Sequence, residues 1–592
     1  MNERKFVSMN ETWDLSVFYN GFQDPALRRD IDSVKEVLTG MDALLATRQP
    51  DTAKLEAMVA SLEKCNNLLN SAFGFVQLTL AADANNADAL RYLDEMSNLM
   101  VDVSLAQSKC VRYVGGVQDL DGCIKGSPAL QSNAFVLREM AEQAAHMLPA
   151  DMEKWMLRMS LNGGDAFSKL RDRLMGSHTV ELDGKNLPLP AVRGMAYDPD
   201  PAVRKAAYEA ELASYKKVET PMAYCLGCIK GEAITMCEAK GYPDNLTQQL
   251  MESRMDRQTL DALWTAVREA LPDFRRYMKA KANLLGHKNG LPFYDLFAPV
   301  GKASRQYTIE QAHDLLVSTF HQVNPEMGRF IDHAFNNRWI DLYPREGKEG
   351  GAFCAGFHDK KISRVLTNFV GSFSDVSTIA HELGHGWHNH CLESKPVLMA
   401  EPPMPLAETA SIFNETLLSN VVRATADDDF RFALLENSLM EATQTVVDIY
   451  SRFLFESAVF EARKTHIPTA AELNQMMLDA QEAAYGDGLD PDVRHPGMWI
   501  CKSHYYSVGL HFYNFPYAFG LLFGLGVFRK YQQEGASFMP KYDALLASCG
   551  SGKVADVAAS VGIDVRSADY WRSALDVIRA EVDEFIRLCD KQ

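Results

Sequence analysis

Three residues in one short segment have the types and the spacing of a metal-dependent hydrolytic site. His381, Glu382 and His385 lie in the segment IAHELGHGWHNHC, where two histidines stand four residues apart with a glutamate directly after the first. On an α-helix, residues four apart differ by only about 40° in direction, so both imidazoles can bind one ion. The glutamate lies about 100° away from the first histidine, where it can take a proton from a water activated by the ion. The segment therefore predicts a catalytic zinc site.

The helix that must carry these residues is indicated by a stripe of apolar side chains. Val376, Ile379, Leu383 and Trp387 recur at intervals of three and four residues, the spacing of one helix face. We expect this face to pack against the core. The two histidines then project on the opposite side of the helix.

A third ligand is required from another part of the chain, because a catalytic zinc ion keeps three protein ligands and one open position. The pattern HExxHxxGxxH would supply a third histidine, but His388 and Cys391 occupy the two diagnostic positions. After a proline-containing loop, Glu408 and Glu415 lie seven residues apart on one face of the next predicted helix. Small residues around Glu408 allow it to approach the histidine helix closely. We therefore predict Glu408 as the third ligand and Glu415 as the group that orients a ligand histidine.

Other titratable residues near the segment are weaker candidates. His388 falls on the ligand face, but three ligands from consecutive turns of one straight helix cannot surround an ion tetrahedrally. We expect it to support the ligands without touching the metal. Glu393 and Glu401 remain alternatives to Glu408 as third ligand, and His390 receives no role.

The surrounding elements are predicted to be mostly helical. Apolar residues recur at helical spacing from Asp51 to Gln107 and through most later segments. Strand patterns are confined to SHTVELDGKNLPLP, with a turn at Asp183–Gly184, and to GGAFCAGFHDKKISRVLTNFV, directly before the histidine segment. Prolines around residues 190–205 suggest a boundary, with an N-terminal helical domain at 1–195 and the catalytic domain at 196–592.

Composition and charge exclude several classes of protein. The 592 residues are 47% hydrophobic and 23% charged, the balance of a folded, water-soluble protein. Sixty lysines and arginines against 78 aspartates and glutamates give a net charge of -18, which opposes binding to nucleic acid or to anionic membranes. The start of the sequence has no apolar run of the secretory type, so we expect a cytoplasmic protein.

Two segments could be mistaken for functional motifs. Cys225 and Cys228 form a CxxC spacing among eleven otherwise scattered cysteines, but helical surroundings and the absence of a second CxxC indicate two small side chains packed on one helix. The uncharged run from Phe512 to Phe528 is short and interrupted by a proline and glycines. We predict that it is buried or lines a channel and does not span a membrane.

Taken in order, the segments GGAFCAGF, SRVLTNFVGSFSDVSTIAHELGHGWH, AETASIFNE and HFYNFPYAFG resemble the oligoendopeptidase F family, relatives of thimet oligopeptidase and neurolysin. The resemblance covers most of the chain. It implies a large, mostly helical zinc-peptidase fold with a deep substrate channel. It also implies one zinc ion per chain, held by His381, His385 and Glu408, with Glu382 as general base.

The same resemblance implies that aromatic residues near the C-terminal end of the catalytic domain act on the substrate. His511 and Tyr517 match positions expected to be catalytic, and Tyr513 and His504 positions expected to bind substrate. His504 competes with His511 for the role of the imidazole. The chain departs from the family pattern at Pro516, among the aromatic residues, and at Phe519, where a tyrosine is possible.

The strand pattern before the histidine segment is expected to bind the peptide backbone. The hairpin that begins at Gly350 and Gly351 would offer a strand edge to an extended substrate, by analogy with the family. The reaction expected is hydrolysis of internal bonds in short, unstructured oligopeptides. Two alternatives stay open: a zinc carboxypeptidase of similar helical architecture, and an inactive peptide-binding scaffold.

Overall fold

The computed structural model describes residues 11–301 and 305–591, and they are mostly helical, as predicted. The chain forms two compact units, each assembled from separate parts of the sequence. The first unit comprises the described residues of Met1–Met147, Ser304–Val422 and Lys530–Gly562, and the second comprises those of Leu148–Ala303, Arg423–Arg529 and Ile563–Gln592. The first ten residues, on which the prediction about a secretory signal depends, lie outside the described residues.

The compact units do not divide at residue 195, where the prolines suggested a boundary. Pro190 and Pro201 instead occupy the first turns of the helices Leu189–Gly194 and Pro201–Tyr215, positions where a proline is well tolerated. The strands before these prolines and the helix after them share one core, since His178 and Ser214 are joined by a buried 2.9 Å hydrogen bond. The prolines therefore mark helix starts within the second unit.

The first unit contains a helical array at its N-terminal end and the helices of the histidine segment. Its helices are Pro25–Leu45, Asp51–Ala82, Ala87–Gly116, Leu120–Gly126, Pro128–Ser132, Ala134–Ala144, Ile309–Val323, Pro325–Asn336, Phe373–Leu392, Met404–Ala407, Met539–Ser548 and Val554–Ala559, together with most of Thr409–Thr425. Below, Phe373–Leu392 is called the histidine helix and Thr409–Thr425 the glutamate helix.

A three-stranded sheet in the first unit confirms the hairpin predicted before the histidine helix. Ile362–Leu366 is the central strand, parallel to Ile340–Asp341 and antiparallel to Phe353–Phe357. Phe353–Phe357, the edge strand, packs beside the histidine helix: a Cβ built on Gly356 would lie 2.5 Å from the Asn389 side chain. Glycine at this position allows the strand to approach the helix closely.

The second unit is built from long helices and one small hairpin. Its helices are Ala150–Ser160, Gly164–Ser177, Leu189–Gly194, Pro201–Tyr215, Glu219–Ala239, Asn245–Glu252, Arg257–Leu284, Asp428–Ala442, Ile449–Arg463, Ala470–Tyr485, Met498–Cys501 and Ala568–Cys589, together with most of Phe515–Glu534. The strands Thr179–Leu182 and Lys185–Pro188 pair through the predicted turn. Asp183 and Gly184 both have positive φ there, 50° and 73°, as a tight hairpin turn requires.

The aromatic run from Phe512 to Phe528 is buried, as predicted. Phe519, Leu522 and Phe523 are fully buried in the helix Phe515–Glu534, and Tyr570 packs against Gly526 so closely that a Cβ would lie 2.4 Å from its hydroxyl oxygen. Within residues 11–301 and 305–591, no helix is long and apolar enough to cross a membrane. Cys225 and Cys228 lie on the helix Glu219–Ala239 and are free thiols, as are the other nine cysteines.

Candidate metal centre

The histidine helix begins at a capping box and presents its apolar face to the core. The Ser372 hydroxyl accepts the backbone N–H of Asp375, whose carboxylate in turn accepts the backbone N–H of Ser372. This reciprocal pair satisfies two donors of the first turn. The predicted stripe from Val376 to Trp387 is buried. The side chains of His381 and His385, on the other face, remain 24% and 23% exposed.

The glutamate helix approaches the histidine helix closely at Gly384. A Cβ on Gly384 would stand 2.7 Å from the carbonyl oxygen of Ala410 and 2.7 Å from Cα of Ser411. Only glycine can therefore occupy this position without separating the helices. The Asn414 side chain also donates to the carbonyl of Ala380 at 3.1 Å, which joins the two helices one turn further along. The small residues near Glu408 allow the glutamate helix to come this close to the histidine helix, as the sequence predicted.

This approach brings the three predicted ligands together. Nε2 of His381 lies 3.2 Å from Nε2 of His385, and each of these atoms lies 3.3 Å from Oε2 of Glu408. Ligands about 2.0–2.1 Å from a tetrahedral ion are separated by about 3.3–3.4 Å. The three donor atoms thus have a spacing that fits one tetrahedral zinc ion, and such an ion would keep a fourth position for water or substrate. Among the described residues, this is the group of histidine, cysteine and carboxylate side chains that could hold a metal.

Two neighbours orient the ligands. Oε2 of Glu415 lies 3.2 Å from Nδ1 of His381, the ring nitrogen that faces away from the other ligands. A carboxylate at this distance would fix the ring and raise its basicity, which is the role predicted for Glu415. The Ser411 hydroxyl donates to Oε2 of Glu408 at 2.6 Å. Sequence reasoning treated Ser411 only as a small residue, although its place three residues after Glu408 allows this contact.

The charges of the cluster attract a cation. Burial alone would lower the pKa of His381, but hydrogen bonds and charges from Glu408 and Glu415 outweigh it and raise that pKa to about 11. For Glu408, burial opposes ionisation, but the two histidines hold its pKa well below the usual range. The carboxylates therefore stabilise positive charge at the ligand atoms, whether a proton or a metal ion carries it.

Glu382 is placed beside the ligands and outside the ligand group. Its residue is only 6% exposed, and burial raises its pKa while the charges of His381 and His385 oppose that rise. A carboxylate with a raised pKa is a better proton acceptor than an exposed one. The position and environment are those expected of a general base.

The remaining candidates of the histidine segment do not join the ligand group. His388 is buried, and burial lowers its pKa to about 4, while backbone hydrogen bonding to Ala407 and Leu546 acts in the other direction. It therefore packs as a neutral ring against the turn that precedes Glu408. Glu393 accepts from His390 at 2.8 Å. Neither Glu393 nor Glu401 belongs to the metal-competent group among the described residues.

Three of the predicted substrate residues form a cluster in the second unit. The hydroxyls of Tyr513 and Tyr517 are 2.7 Å apart, and the ring of His504 lies 6.0 Å from that of Tyr513. Nε2 of His504 is buried without a hydrogen-bond partner among the described residues. Burial, followed by the charge of Arg452, lowers the pKa of His504 to about 3. Its neutral ring is therefore available to hydrogen-bond with a ligand.

His511 lies in a different environment, a buried polar cluster of the same unit. The ammonium of Lys230 donates to Nδ1 of His511 at 3.2 Å and to Oε1 of Glu456 at 2.6 Å. The other oxygen of Glu456 accepts the backbone N–H of Phe512 at 3.0 Å, a residue held at φ 52°. His511 is only 7% exposed. Its catalytic role stays a prediction, while its contacts are those of a group that fixes the segment leading to Tyr513.

Lys230 and Glu456 were missed by the sequence analysis. They are 226 residues apart, so no local spacing indicates their contact. The available signal was a lysine in the apolar run YCLGCIKGEA and a glutamate within LFESAVF. Charged residues are seldom fully buried unless they are paired.

Gly350 and Gly351 precede the edge strand in the first unit. Gly351 has φ 85°, and its carbonyl accepts the side-chain N–H of Asn368 at 2.8 Å. The edge strand pairs with the central strand on one side only. At Gly356 its carbonyl faces the amide of Asn70 at 3.4 Å. The part from Phe353 to Ala355 therefore remains the candidate for pairing with an extended peptide, and the predicted role of the two glycines stays a prediction.

Comparison with known proteins gives one family match. The model of Peptidase family M3 matches residues 194–577, more than half of the chain. Oligoendopeptidase F, chromosomal, of Lactococcus lactis subsp. cremoris is 26% identical over 393 residues, which cover 66% of this chain. The match spans 64% of that relative's own length. Oligopeptidase PepF of Bacillus subtilis (strain 168) is 21% identical over 602 residues, covering 100% of this chain and 89% of the relative.

Solved structures show the same fold. Oligoendopeptidase-F from Enterococcus faecium has a TM-score of 0.70 at 19% identity, with 95% of this chain and 99% of that chain covered. A chain from Chlamydophila abortus has a TM-score of 0.87 at 22% identity, with 98% and 99% covered. Because both identities are below 25%, this similarity establishes the fold and not the chemistry of the site.

Proposed function

Because the chain belongs to peptidase family M3, we propose that it is a zinc-dependent endopeptidase acting on short, unstructured peptides. The relatives confirm the resemblance to oligoendopeptidase F. The observation that carries the proposal is the triangle formed by His381, His385 and Glu408, with donor atoms 3.2–3.3 Å apart. Glu382, buried beside that triangle, adds the base that a hydrolase needs and a simple metal carrier does not.

The donor set fits zinc better than the harder divalent ions. Two imidazoles and one carboxylate suit zinc, whereas calcium takes six to eight oxygen ligands at about 2.3–2.6 Å. Zinc, when bound, supplies a Lewis acid that polarises the peptide carbonyl and activates a water molecule. Glu415 holds the His381 ring in the orientation for binding, and Ser411 does the same for the Glu408 carboxylate.

Glu382 carries the proton in this proposal. Its carboxylate takes a proton from the attacking water and returns it to the leaving amine nitrogen, so the peptide bond breaks without a free amide anion. Burial helps this role, since it raises the pKa of Glu382.

Tyr517 is proposed to donate a hydrogen bond to the carbonyl oxygen as negative charge develops on it. Tyr513, whose hydroxyl lies 2.7 Å from that of Tyr517, and His504 are proposed to bind substrate, with His511 as the second candidate imidazole. A donor of this kind typically contributes about 2.7–4 kcal/mol to the transition state. Tyr517→Phe should therefore lower kcat more than it raises KM. Unchanged kinetics would transfer the role to Tyr513 or to one of the two histidines.

Short peptides are the proposed substrates because binding is expected to require an extended backbone. A peptide paired with the edge strand would use its own backbone N–H and C=O groups, and a folded protein would first have to unfold at a cost of about 5–15 kcal/mol. The eleven free cysteines support the proposal that the protein works in a reducing compartment such as the cytoplasm. The substrate channel implied by the resemblance is part of the same proposal.

A peptide-cleavage assay with zinc analysis tests the function. We expect internal cleavage of a graded series of quenched peptides, read by product mass, with a folded protein left intact. Glu382→Gln should keep zinc and lose about 10²–10⁴-fold in turnover, because it removes the base alone. Glu393→Gln, a glutamate of the same segment paired with His390, is the matched control and should remain active. Release of single C-terminal residues only would instead indicate a carboxypeptidase, and zinc binding without any cleavage would indicate a scaffold.

A further inference from the structure

A cavity of about 750 Å³ lies within the second unit, and the chemistry proposed above does not use it. Its walls come from the helices Gly164–Ser177, Leu189–Gly194 and Pro201–Tyr215 and from the segments 293–297 and 495–502. The volume falls in the range of small-molecule sites, about 300–1,000 Å³. The cavity is therefore large enough to hold a ligand of one or two amino-acid residues.

One wall of this cavity carries a lysine without a partner. Lys502 lines the cavity, and burial, followed by the charge of Arg452, lowers its pKa. Among the described residues, no hydrogen bond or ion pair involves its ammonium group. The charge of Asp448 does not supply that partner, because the Asp448 carboxylate pairs with Arg452 and accepts the Tyr485 hydroxyl. Lys502 is partly buried and keeps some contact with water, and partial burial makes an ammonium group without a counter-charge less favourable than it is in bulk water.

Two arginines that also line the cavity have N–H groups that neighbouring acceptors do not fully use. Arg193 pairs with Glu211 through one nitrogen, and its second terminal nitrogen has only the Met498 sulfur at 4.0 Å. The terminal nitrogens of Arg171 contact the exposed Asp172 at 3.0 Å and the Cys501 carbonyl at 3.4 Å. Its Nε is buried without a partner among the described residues. The wall as a whole offers more hydrogen-bond donors than acceptors.

Both acidic residues that line the cavity are already paired, Asp172 with Arg171 and Glu211 with several neighbours. Oε1 of Glu211 accepts from Arg193 and, at 2.6 Å, from the hydroxyl of Tyr215. Nε2 of His495 lies 3.4 Å from the same oxygen. These contacts hold the pKa of Glu211 down to about 2 against the effect of burial. Glu211 therefore stays charged, and its own neighbours balance that charge. The ammonium of Lys502 is then the charge that can pair with a ligand.

Aromatic side chains form another part of the cavity lining. The ring of Tyr208 lies 5.6 Å from Tyr294 and 6.5 Å from Phe293, and Tyr197 and Phe297 are 4.9 Å apart. The hydroxyl of Tyr208 donates to the Arg494 carbonyl, so a ligand can contact mainly the face of this ring. Aromatic faces bind apolar or planar groups. A ligand that fills the cavity thus needs an apolar part and an anionic end.

We propose that this cavity binds the free carboxylate of a small apolar ligand, with Lys502 as its counter-charge and the aromatic wall around its side chain. The ligand class is the carboxyl-terminal residue of a short peptide. Naming peptides as the source rests on the proposed function, whereas the carboxylate and the apolar group follow from the cavity itself. A phosphate dianion fits less well, because the charged Glu211 borders the same space.

Direct binding to the full-length, zinc-loaded chain tests this proposal. The probes are N-acetylphenylalanine and its C-terminal amide, which differ only in the charge of the carboxyl end. By titration calorimetry we expect the acid to bind at least tenfold more tightly than the amide. Lys502→Met should abolish this preference. Equal binding of acid and amide, or a preference that survives in Lys502→Met, would overturn the assignment.

Further probes identify the source of the carboxylate. Free phenylalanine that binds as well as the acetylated form would assign the site to released amino acids, and weaker binding would assign it to the end of a peptide. Both results support a carboxylate site. Inorganic phosphate that competes as strongly as N-acetylphenylalanine would refute the role of the aromatic wall. Binding is measured without cleavage, so a failure of the peptidase proposal leaves this test readable.

Stability provides an independent readout. If Lys502 is retained for a ligand and not for the fold, Lys502→Met should leave the Tm of the ligand-free protein unchanged or raise it, because an unpaired ammonium is removed. Lys205→Met, at a 57% exposed lysine of the helix Pro201–Tyr215, is the matched control and should keep the preference for the acid. A lower Tm in Lys502→Met would mean that the lysine serves the fold, and loss of the preference in Lys205→Met would mean that general charge decides it.

Discussion

The metal centre and the Lys230 cluster both place a histidine beside a carboxylate system, yet the two histidines acquire opposite properties. His381 has carboxylate oxygens 3.3 and 3.2 Å from its two ring nitrogens, and its pKa is raised to about 11. His511 has the ammonium of Lys230 at 3.2 Å. Burial, and then that ammonium, hold its pKa well below the usual value.

The difference lies in which cluster already contains its cation. In the Lys230 cluster one ammonium balances the buried carboxylate of Glu456, so the histidine stays neutral and accepts a hydrogen bond. In the metal centre the ion-pair partners of Glu408 and Glu415 are imidazoles, which carry positive charge only when a proton or a metal ion is bound. The first arrangement is complete as a piece of the fold, whereas the second is completed by a proton or a metal ion. Charge balance, more than residue type, separates a structural histidine from a metal ligand.

Removal of a carboxylate should have the largest effect in the metal centre. Glu408→Ala leaves two imidazoles, which bind zinc poorly, so zinc content and peptidase activity should both fall to background. Glu456→Gln alters the carboxylate of the other cluster and should keep its zinc. Elemental analysis of the dialysed proteins measures both. A zinc-replete Glu408→Ala protein would remove Glu408 from the ligand set.

Breaking the Lys230 cluster should instead reduce stability. Lys230→Met strands the buried carboxylate of Glu456, since the two side chains are 1% and 5% exposed, and loss of one partner of such a pair costs about 3–5 kcal/mol. The double variant Lys230→Met/Glu456→Gln keeps an acceptor for the Phe512 N–H without the charge and should recover much of the loss. Thermal melting measures the stability of the single and the double variant. A double variant no more stable than the single one would show that charge balance is not what holds this cluster.

A smaller change is expected when an orienting carboxylate is neutralised. Glu415→Gln should weaken zinc binding about 10–100-fold, because it removes the charge that supports His381. Glu393→Gln, which lies outside the ligand group, serves as the control. Competition with a chromogenic chelator gives both affinities. Equal zinc affinities in the two variants would show that Glu415 does not support zinc binding.

The smallest effect is expected from pH, measured as the change in zinc affinity for each pH unit. In the metal-free chain the pKa of His381 is raised to about 11, so near neutral pH the ring carries a proton that zinc must displace. Affinity should therefore fall by up to about tenfold for each unit by which the pH is lowered. Chelator competition between pH 6 and pH 9 measures the slope. The slope should be shallower in Glu415→Gln, and a flat profile in the unmodified protein would contradict the charge argument.

Much of the metal centre could be predicted from the sequence because its decisive spacings are local. The spacing of four residues from His381 to His385 sets their common direction on any α-helix, and the buried stripe from Val376 to Trp387 sets which face they use. Glu408 was identified from the helix that restarts after the proline loop and from its small neighbours. The domain boundary near residue 195 stays a prediction, because a proline starts a helix as readily as it marks a linker, and Pro190 and Pro201 both stand in the first turns of helices.

The sequence by itself determined the histidine helix, the hairpin before it and the candidates for the metal ligands, since periodicity and turn chemistry act between near neighbours. Only the tertiary structure decided that His511 faces Lys230, that Glu456 balances that lysine across 226 residues, and that Lys502 lines a cavity without a counter-charge among the described residues. These properties depend on which distant side chains surround a group and how much water they exclude. Local spacing does not encode them, because burial and charge balance arise only when the chain has packed.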